Sequence, residues 1–178
     1  MQLSTPARIL GGTIGLGAML TAPALAAAPG TMDVTVNIPR LKVAEYHKPY
    51  VAIWVEKAGA PAKTVAVWYD YDMKANEGTK WLRDVRQWWR ASGRTMSFPA
   101  DGISGATRAP GTQKLRLVAG RGGMPALTPG NYTLVVEAAR EVGGREVIRL
   151  PFAWNGSAAT GSGKGASELG AVTFALKR

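Results

Sequence analysis

The residues best suited to chemistry lie in one glycine-rich segment, residues 99–111. Prolines bracket it and glycines separate its polar side chains, which is typical of an exposed loop. The segment carries two hydroxyl groups that could act as nucleophiles, those of Ser104 and Thr107, together with the carboxylate of Asp101. A neutral alcohol is a weak nucleophile and needs a base, and often metal ions, supplied from elsewhere.

Residues 101–107 (DGISGAT) resemble the motif D-x-x-[S/T]-G-A-[S/T], at which proteins carry covalent flavin mononucleotide (FMN). The motif is known in subunits of sodium-pumping NADH:quinone reductase and its relatives. In those proteins a flavin transferase splits FAD and joins FMN through its phosphate to the last hydroxyl of the motif. The resemblance implies a phosphoester of FMN on Thr107, with the transferase as a partner.

The resemblance also implies roles for the other motif positions. Gly105 and Ala106 would keep the backbone thin, so that the loop can enter the active site of the transferase. Asp101 and Ser104 would hold the turn or be recognised directly. Arg108 would pair with the phosphate once it is attached.

The mature chain as a whole resembles a family of predicted bacterial periplasmic proteins without an assigned activity. The resemblance rests on residues 49–56 (PYVAIWVE), 80–82 (KWL), 88–89 (WW), 101–107 and 129–132 (PGNY). Relatives are similar in being encoded beside flavin transferases and transmembrane reductases of the flavin or heme type. The resemblance implies a periplasmic electron carrier that accepts electrons from a membrane-bound reductase, with metal reduction as one implied role.

Residues 79–91 (TKWLRDVRQWWRA) predict a single amphipathic helix inserted between strands. Trp81, Val85 and Trp88 recur at helical spacing and are expected between the helix and a sheet. Trp89 points about 100° away from its neighbour on such a helix. We therefore expect Trp89 to be exposed and able to stack on an isoalloxazine ring, which an indole can do well.

The rest of the chain alternates between apolar and polar residues with the period of a β-strand. The predicted strands cover residues 33–38, 50–56, 65–71, 114–119, 132–138, 146–152 and 170–176. Seven short strands with one inserted helix predict an all-β fold, an immunoglobulin-like antiparallel β-sandwich. Residues 127–132 (LTPGNY) are typical of the tyrosine corner of such folds, with the phenol of Tyr132 bonded back to the turn.

Two further turn signals divide the strands. Gly143 and Gly144 predict a tight hairpin in which glycines take positive φ. Residues 156–167 (GSAATGSGKGAS) predict a mobile loop before the last strand, because small polar residues pack poorly.

The N-terminus predicts export. Arg8 is the first charged residue, an apolar run covers residues 9–20, and alanines at 24, 26 and 28 satisfy the small-x-small rule for cleavage. We expect a signal peptide over residues 1–26, with cleavage possible up to residue 28, and a single domain over residues 27–178 in the periplasm. The alternative, an uncleaved membrane anchor, is disfavoured because the run is shorter than a spanning helix of about 20 residues.

Composition narrows the function classes. The chain has no cysteine, which excludes thiolate catalysis, iron–sulfur clusters and cysteine zinc sites. It has one histidine, His47, so we expect no metal site, and no G-x-S-x-G elbow of a hydrolase is present. Its formal charge of +10 comes from scattered residues, which favours acidic proteins or peripheral contact with an anionic membrane over nucleic acid. A non-redox binding or accessory module remains the alternative to the electron carrier.

Overall fold

A computed structural model describes residues 30–178, and the predicted signal peptide lies outside the described residues. Nine strands form two facing sheets, one of four strands in the order β5-β1-β9-β8 and one of five in the order β4-β3-β2-β6-β7. The strands are β1 (Thr31–Ile38), β2 (Tyr50–Lys57), β3 (Lys63–Tyr69), β4 (Ser104–Ala106), β5 (Gly111–Val118), β6 (Gly130–Ala139), β7 (Arg145–Trp154), β8 (Ala159–Lys164) and β9 (Ala171–Lys177). Every described pairing is antiparallel except the one between β3 and β4. The predicted all-β sandwich is confirmed.

The main core lies between the two sheets, where alternate residues of each strand meet. In β1, Val34, Val36 and Ile38 are buried while the residues between them are half-exposed. The predicted tyrosine corner is present, because the Tyr132 hydroxyl donates to the Thr128 carbonyl at 2.8 Å and accepts from the Thr128 amide at 3.1 Å. The corner fixes the entry of the chain into β6.

A second core covers the outer face of the five-stranded sheet, which explains why β2 is buried on both faces. The covering segment contains a 3₁₀ helix (Lys74–Asp84), the α-helix α1 (Arg86–Ala91) and a short 3₁₀ turn (Gly93–Thr95). The helical segment expected over residues 79–91 is therefore broken in two at Val85, whose ψ of 72° is not helical.

A buried carboxylate explains the break. Glu137 of β6 is fully buried and accepts hydrogen bonds from the amides of Gln87 (3.1 Å) and Trp88 (2.8 Å). These amides lie in the first turn of α1, where a helix leaves its N–H groups unpaired and favours a negative charge. Arg145 lies 3.6 Å from the same carboxylate. The carboxylate of Glu137 thus favours the start of a new helix, α1, at this point.

The break also changes which tryptophan is buried. Trp88 and Val85 are fully buried against the sheet, as expected, but Trp81 is 47% exposed. The prediction that Trp81 packs between helix and sheet is wrong, because the 3₁₀ helix turns its neighbour Leu82 to the core instead.

The predicted mobile loop over residues 156–167 is wrong, because β8 lies within it and pairs with β9. Its small residues have a packing role: a Cβ at Gly161 would collide with the ring of Phe174, and one at Gly163 would lie 2.8 Å from Ile148. Glycine here allows the strand to lie close to large apolar side chains.

The β6–β7 hairpin also differs in detail from its prediction. Positive φ falls on Val142 (50°) and not on the two glycines, so that part of the prediction is wrong. Gly143 and Gly144 are needed for close contact, since a Cβ would collide with the Arg140 guanidinium at the first and lie 2.8 Å from Glu168 at the second. Arg140 and Glu168 form a buried ion pair at 2.9 Å that fixes the hairpin to the β8–β9 connection.

Within residues 30–178, no helix is both long enough and apolar enough to cross a membrane.

Candidate functional site

The parallel pairing of β3 with β4 positions the hydroxyl that the motif singled out. The register pairs Tyr69 with Ala106, so the next residues of the two strands, Asp70 and Thr107, lie side by side. The Thr107 amide donates to the Tyr69 carbonyl at 3.0 Å, and the Thr107 hydroxyl donates to Asp70 Oδ1 at 3.3 Å. Thr107 is half-buried at the edge of the sheet and not inside a central strand. Its hydroxyl is accordingly accessible from the rim of the fold.

The second carboxylate oxygen of Asp70 also has a hydrogen-bonding neighbour, the hydroxyl of Tyr50. The Tyr50 hydroxyl lies 3.3 Å from Asp70 Oδ2 and 3.1 Å from the Gly78 carbonyl. Burial raises the pKa of Tyr50, so its phenol stays protonated and remains a donor. A Cβ at Gly78 would collide with the Asp70 carbonyl, so glycine lets the 3₁₀ helix approach the strand end. Three elements therefore fix the carboxylate that accepts from Thr107.

The other motif residues have different surroundings. The Ser104 hydroxyl accepts from the Ala100 amide at 2.9 Å and closes the turn before β4. Asp101 and Ala106 are exposed, and Gly105 is half-buried. The short strand Ser104–Ala106 within the expected loop is a feature that the sequence did not predict.

Arg108 does not share the surroundings of the Thr107 hydroxyl. Its guanidinium lies 5.4 Å from the centroid of the Trp68 ring, in a cation–π contact. Trp68 and Arg108 line a cleft between the sheets, whereas Thr107 lines a different cleft at the end of the sandwich.

The cleft beside Thr107 has a volume of about 820 Å³. Its walls come from the β1–β2 connection, the 3₁₀ helix and the β6–β7 hairpin. The lining residues are Tyr46, His47, Lys48, Tyr50, Asp70, Trp81, Asp84, Arg86, Thr107 and residues 139–145. We call it the Thr107 cleft. Its size lies within the usual range of small-molecule sites, about 300–1,000 Å³.

The positions of two tryptophans differ from the prediction, which placed Trp81 in the core and left Trp89 exposed. Trp81 lines the Thr107 cleft and is exposed. Trp89 is half-buried, packs edge-on against Trp88 with ring centroids 6.1 Å apart, and does not line the cleft. The structure therefore places Trp81, and not Trp89, in the cleft that Thr107 lines.

The charges of the cleft leave two cations available. Arg140 and Arg145 face the buried carboxylates of Glu168 and Glu137. In the part of the chain that the structure describes, Lys48 and Arg86 have no carboxylate within 4 Å. Their positive charge can therefore act on an anion in the cleft.

A flavin nucleotide fits these residues better than a metal ion does. Among residues 30–178, no cluster of three or more histidine, aspartate or glutamate side chains could hold a metal. The cleft instead combines a threonine hydroxyl, an exposed indole and two cations that have no carboxylate within 4 Å among the described residues. These groups match the alcohol, the stacking surface and the phosphate charge that bound FMN requires.

Asp70 and Trp81 are the site residues that sequence reasoning missed. Asp70 had a usable signal, since it directly follows the last apolar residue of a predicted strand. Its neighbour in space could not be identified, because the parallel pairing with a three-residue strand has no sequence signature. Trp81 was assigned to the core because its spacing fits an unbroken helix.

Comparison with known proteins agrees with the periplasmic location inferred from the N-terminus. The family described as "Predicted periplasmic protein (DUF2271)" matches residues 31–171, most of the chain. No curated protein matches the chain. No solved structure matches it either. The chain therefore belongs to the DUF2271 family of predicted periplasmic proteins.

Proposed function

We propose that this chain is a periplasmic electron carrier that holds FMN covalently on Thr107. The observation that carries the proposal is the position of the Thr107 hydroxyl. It belongs to a segment that resembles a flavin acceptor motif, lies at the accessible edge of the sheet and opens onto a cleft of about 820 Å³. A flavin transferase is the partner that would attach the group, and a membrane-bound reductase is the partner that would supply electrons.

Covalent attachment would transfer the FMN half of FAD to the protein and release AMP. The Thr107 oxygen forms a bond to the phosphorus of the FMN half, the phosphoanhydride bond breaks and AMP leaves. The hydroxyl proton departs toward a base, and Asp70 Oδ1 is the oxygen that accepts it in a hydrogen bond here. Attached FMN supplies one- and two-electron transfer, while the protein provides position and electrostatics.

The distribution of exposed apolar side chains supports contact with partners at this site. The large hydrophobic residues that are exposed in the described chain are Val43, Tyr71, Met73, Trp81 and Val142. All of them lie in the connections that surround the Thr107 cleft: β1–β2, the segment after β3 and the β6–β7 hairpin. Exposed apolar side chains that are concentrated at one end of a fold are typical of an interaction surface, and we call these five residues the exposed patch.

The same patch supports a second candidate, a non-redox binding or accessory module. In that function the loops at this end grip a partner protein and Thr107 is an ordinary surface residue. The positive charge suits either function, because it steers the protein toward acidic partners or an anionic membrane surface. Covalent flavin decides between them.

The test is co-expression with a flavin transferase in an exporting bacterium, followed by intact mass and in-gel flavin fluorescence after denaturation. The wild-type protein should gain one FMN and show a fluorescent band. Thr107→Ser keeps the nucleophile and should retain the band, whereas Thr107→Ala should abolish it. Thr112→Ala changes an exposed threonine a few residues away and should label like the wild type.

Covalent flavin on the Thr107→Ala protein would show that attachment occurs at another residue. A wild-type protein that stays colourless beside an active transferase would favour the binding module. The intact mass also reports whether the mature chain begins at Ala27, as the signal prediction requires.

A further inference from the structure

We infer that the Thr107 cleft binds the isoalloxazine ring non-covalently, with Trp81 as its stacking surface. The inference rests on the proposed function and extends it, because it assigns a ring site that exists before attachment. Covalent linkage would then retain a flavin that the cleft already recognises.

The exposure of Trp81 is the first observation. Trp81 is 47% exposed although its neighbour Leu82 is buried against the sheet, so the 3₁₀ helix leaves the indole in the lining of the cleft. Solvent exposure of so large an apolar surface is unfavourable. A planar aromatic ligand stacked on the indole would remove that surface from water.

The opposite walls supply the second observation. Tyr46 lines the cleft, and its hydroxyl is buried without a hydrogen-bond partner among the described residues. At the hairpin tip, Val142 is 85% exposed and held at a φ of 50°, which a β-branched residue rarely adopts. The cleft thus has apolar surfaces on more than one side.

Charge gives the third observation and separates two ligands. Carboxylates of Asp70, Asp84 and Glu141 line the cleft as well as cations. Two of the cations, Lys48 and Arg86, have no carboxylate within 4 Å in the described part of the chain. Riboflavin carries the ring without a charge, whereas FMN adds a phosphate that these cations attract. We expect FMN to bind more tightly than riboflavin, and its advantage to shrink as salt is added.

The experiment uses Thr107→Ala protein, which cannot be labelled at this position, and follows the quenching of flavin fluorescence on titration with riboflavin or FMN. Saturable quenching is expected for both ligands. A second change, Trp81→Leu, should raise the dissociation constant about tenfold, as loss of an aromatic stacking contact predicts. Trp89→Leu is the matched control, since Trp89 lies outside the cleft, and should change it by less than about twofold.

Circular dichroism checks that both tryptophan variants are folded. Absence of quenching, or equal weakening by the two substitutions, would overturn the ring site. In transferase-treated wild-type protein, attached flavin should be dimmer than free FMN and should brighten with Trp81→Leu. Attached flavin as bright as free FMN would overturn the inference and leave the proposed function standing. Quenching by a protein that never acquires covalent flavin would support the ring site and overturn the proposed function.

Discussion

At the scale of single residues, the pair formed by Thr107 and Asp70 connects the fold to the proposed chemistry. Each residue directly follows a strand, and the parallel register of β3 and β4 makes them neighbours. The Tyr50 hydroxyl then fixes the carboxylate from behind. A carboxylate that is held in place orients the threonine proton, and with it the lone pairs of the attacking oxygen.

A substitution at Gly105 can distinguish an effect on the stability of the fold from an effect on recognition by the transferase. A Cβ at this position would lie 3.6 Å from Trp68 and 3.8 Å from Arg108, both ordinary contacts, and its φ is not in the left-handed region. We predict that Gly105→Ala leaves the melting temperature within about 2 °C of the wild type, since nothing must move. We also predict slower flavin attachment, because the loop is bulkier where it enters the transferase.

Thermal unfolding and the initial rate of labelling measure the two effects. Gly102→Ala is the informative comparison, since Gly102 has a φ of 65° and a side chain there strains the backbone itself. It should lower the melting temperature. A Gly105→Ala protein that labels at the wild-type rate would show that the transferase does not require glycine at this position.

Sequence reasoning identified Thr107 as the proposed attachment residue but did not identify the residues around it. A hydroxyl in a glycine-rich motif can be recognised from the order of neighbouring residues in the sequence. The structure places Thr107 at an accessible edge of the sheet. Arg108 illustrates the limit, since adjacency in sequence suggested a common site whereas its guanidinium stacks on Trp68. Neighbouring residues in an extended segment point to opposite sides.

At the scale of elements, the Glu146 carboxylate orders the turn between β8 and β9. It accepts hydrogen bonds from the amides of Ala166 (2.6 Å), Leu169 (2.8 Å) and Ser167 (3.1 Å). Burial alone would raise the pKa of Glu146, but the amide donors outweigh it and lower the pKa below its ordinary value. The ionised form is thus the one that holds the turn.

This arrangement predicts an acid-sensitive contribution to stability. The folded pKa lies below the unfolded one, so the contribution is fully present above the ordinary pKa of 4.5 and is lost as the pH falls through the folded pKa. We predict that Glu146→Gln lowers the free energy of unfolding by about 1–3 kcal/mol at pH 7, because it replaces charged hydrogen bonds with weaker ones.

Urea denaturation of both proteins between pH 7 and pH 3 measures the difference. The two free energies of unfolding should converge in acid, where the wild-type carboxyl is protonated. A difference that stays constant over this range would mean that Glu146 acts through its shape and not its charge.

The elements that the sequence predicted well are those with a strict period. The seven alternating segments correspond to β1, β2, β3, β5, β6, β7 and β9. The two strands that were missed, β4 and β8, contain mostly glycine, serine and alanine, residues with little preference for strands. In β8, glycine is required because its backbone lies close to Phe174 and Ile148. The helix was predicted unbroken because Glu137, the cause of the break, lies about 50 residues away in sequence.

At the scale of the whole molecule, the two ends of the sandwich differ in character. The end that carries Thr107 also carries the exposed Val43, Tyr71, Met73, Trp81 and Val142. The far end is formed by turns such as that between β2 and β3, and no large hydrophobic residue is exposed there in the described chain. A partner that recognises apolar surface would therefore approach from the Thr107 end.

We predict that polar substitutions at this end slow flavin attachment without changing the fold. Met73→Ser and Val43→Ser each remove an exposed apolar side chain and should lower the labelling rate at limiting acceptor by about fivefold, the equivalent of ~1 kcal/mol of contact. Ala60→Ser, in the exposed turn at the far end, should have no effect. Labelling rates from fluorescence time courses measure this, and equal rates for all three variants would exclude docking through the exposed patch.

The shortness of β4 has a consequence for how far Thr107 can travel. Three residues pair with β3, and all of them are half-buried or exposed. We therefore expect that separating this strand from the sheet costs less free energy than global unfolding. The arm released is bounded by the Ser104–Ala100 hydrogen bond and by the start of β5 at Gly111. An out-and-back loop over that contour extends about 10 Å from the sheet edge. Thr107 lies near the middle of the arm, where the reach is greatest.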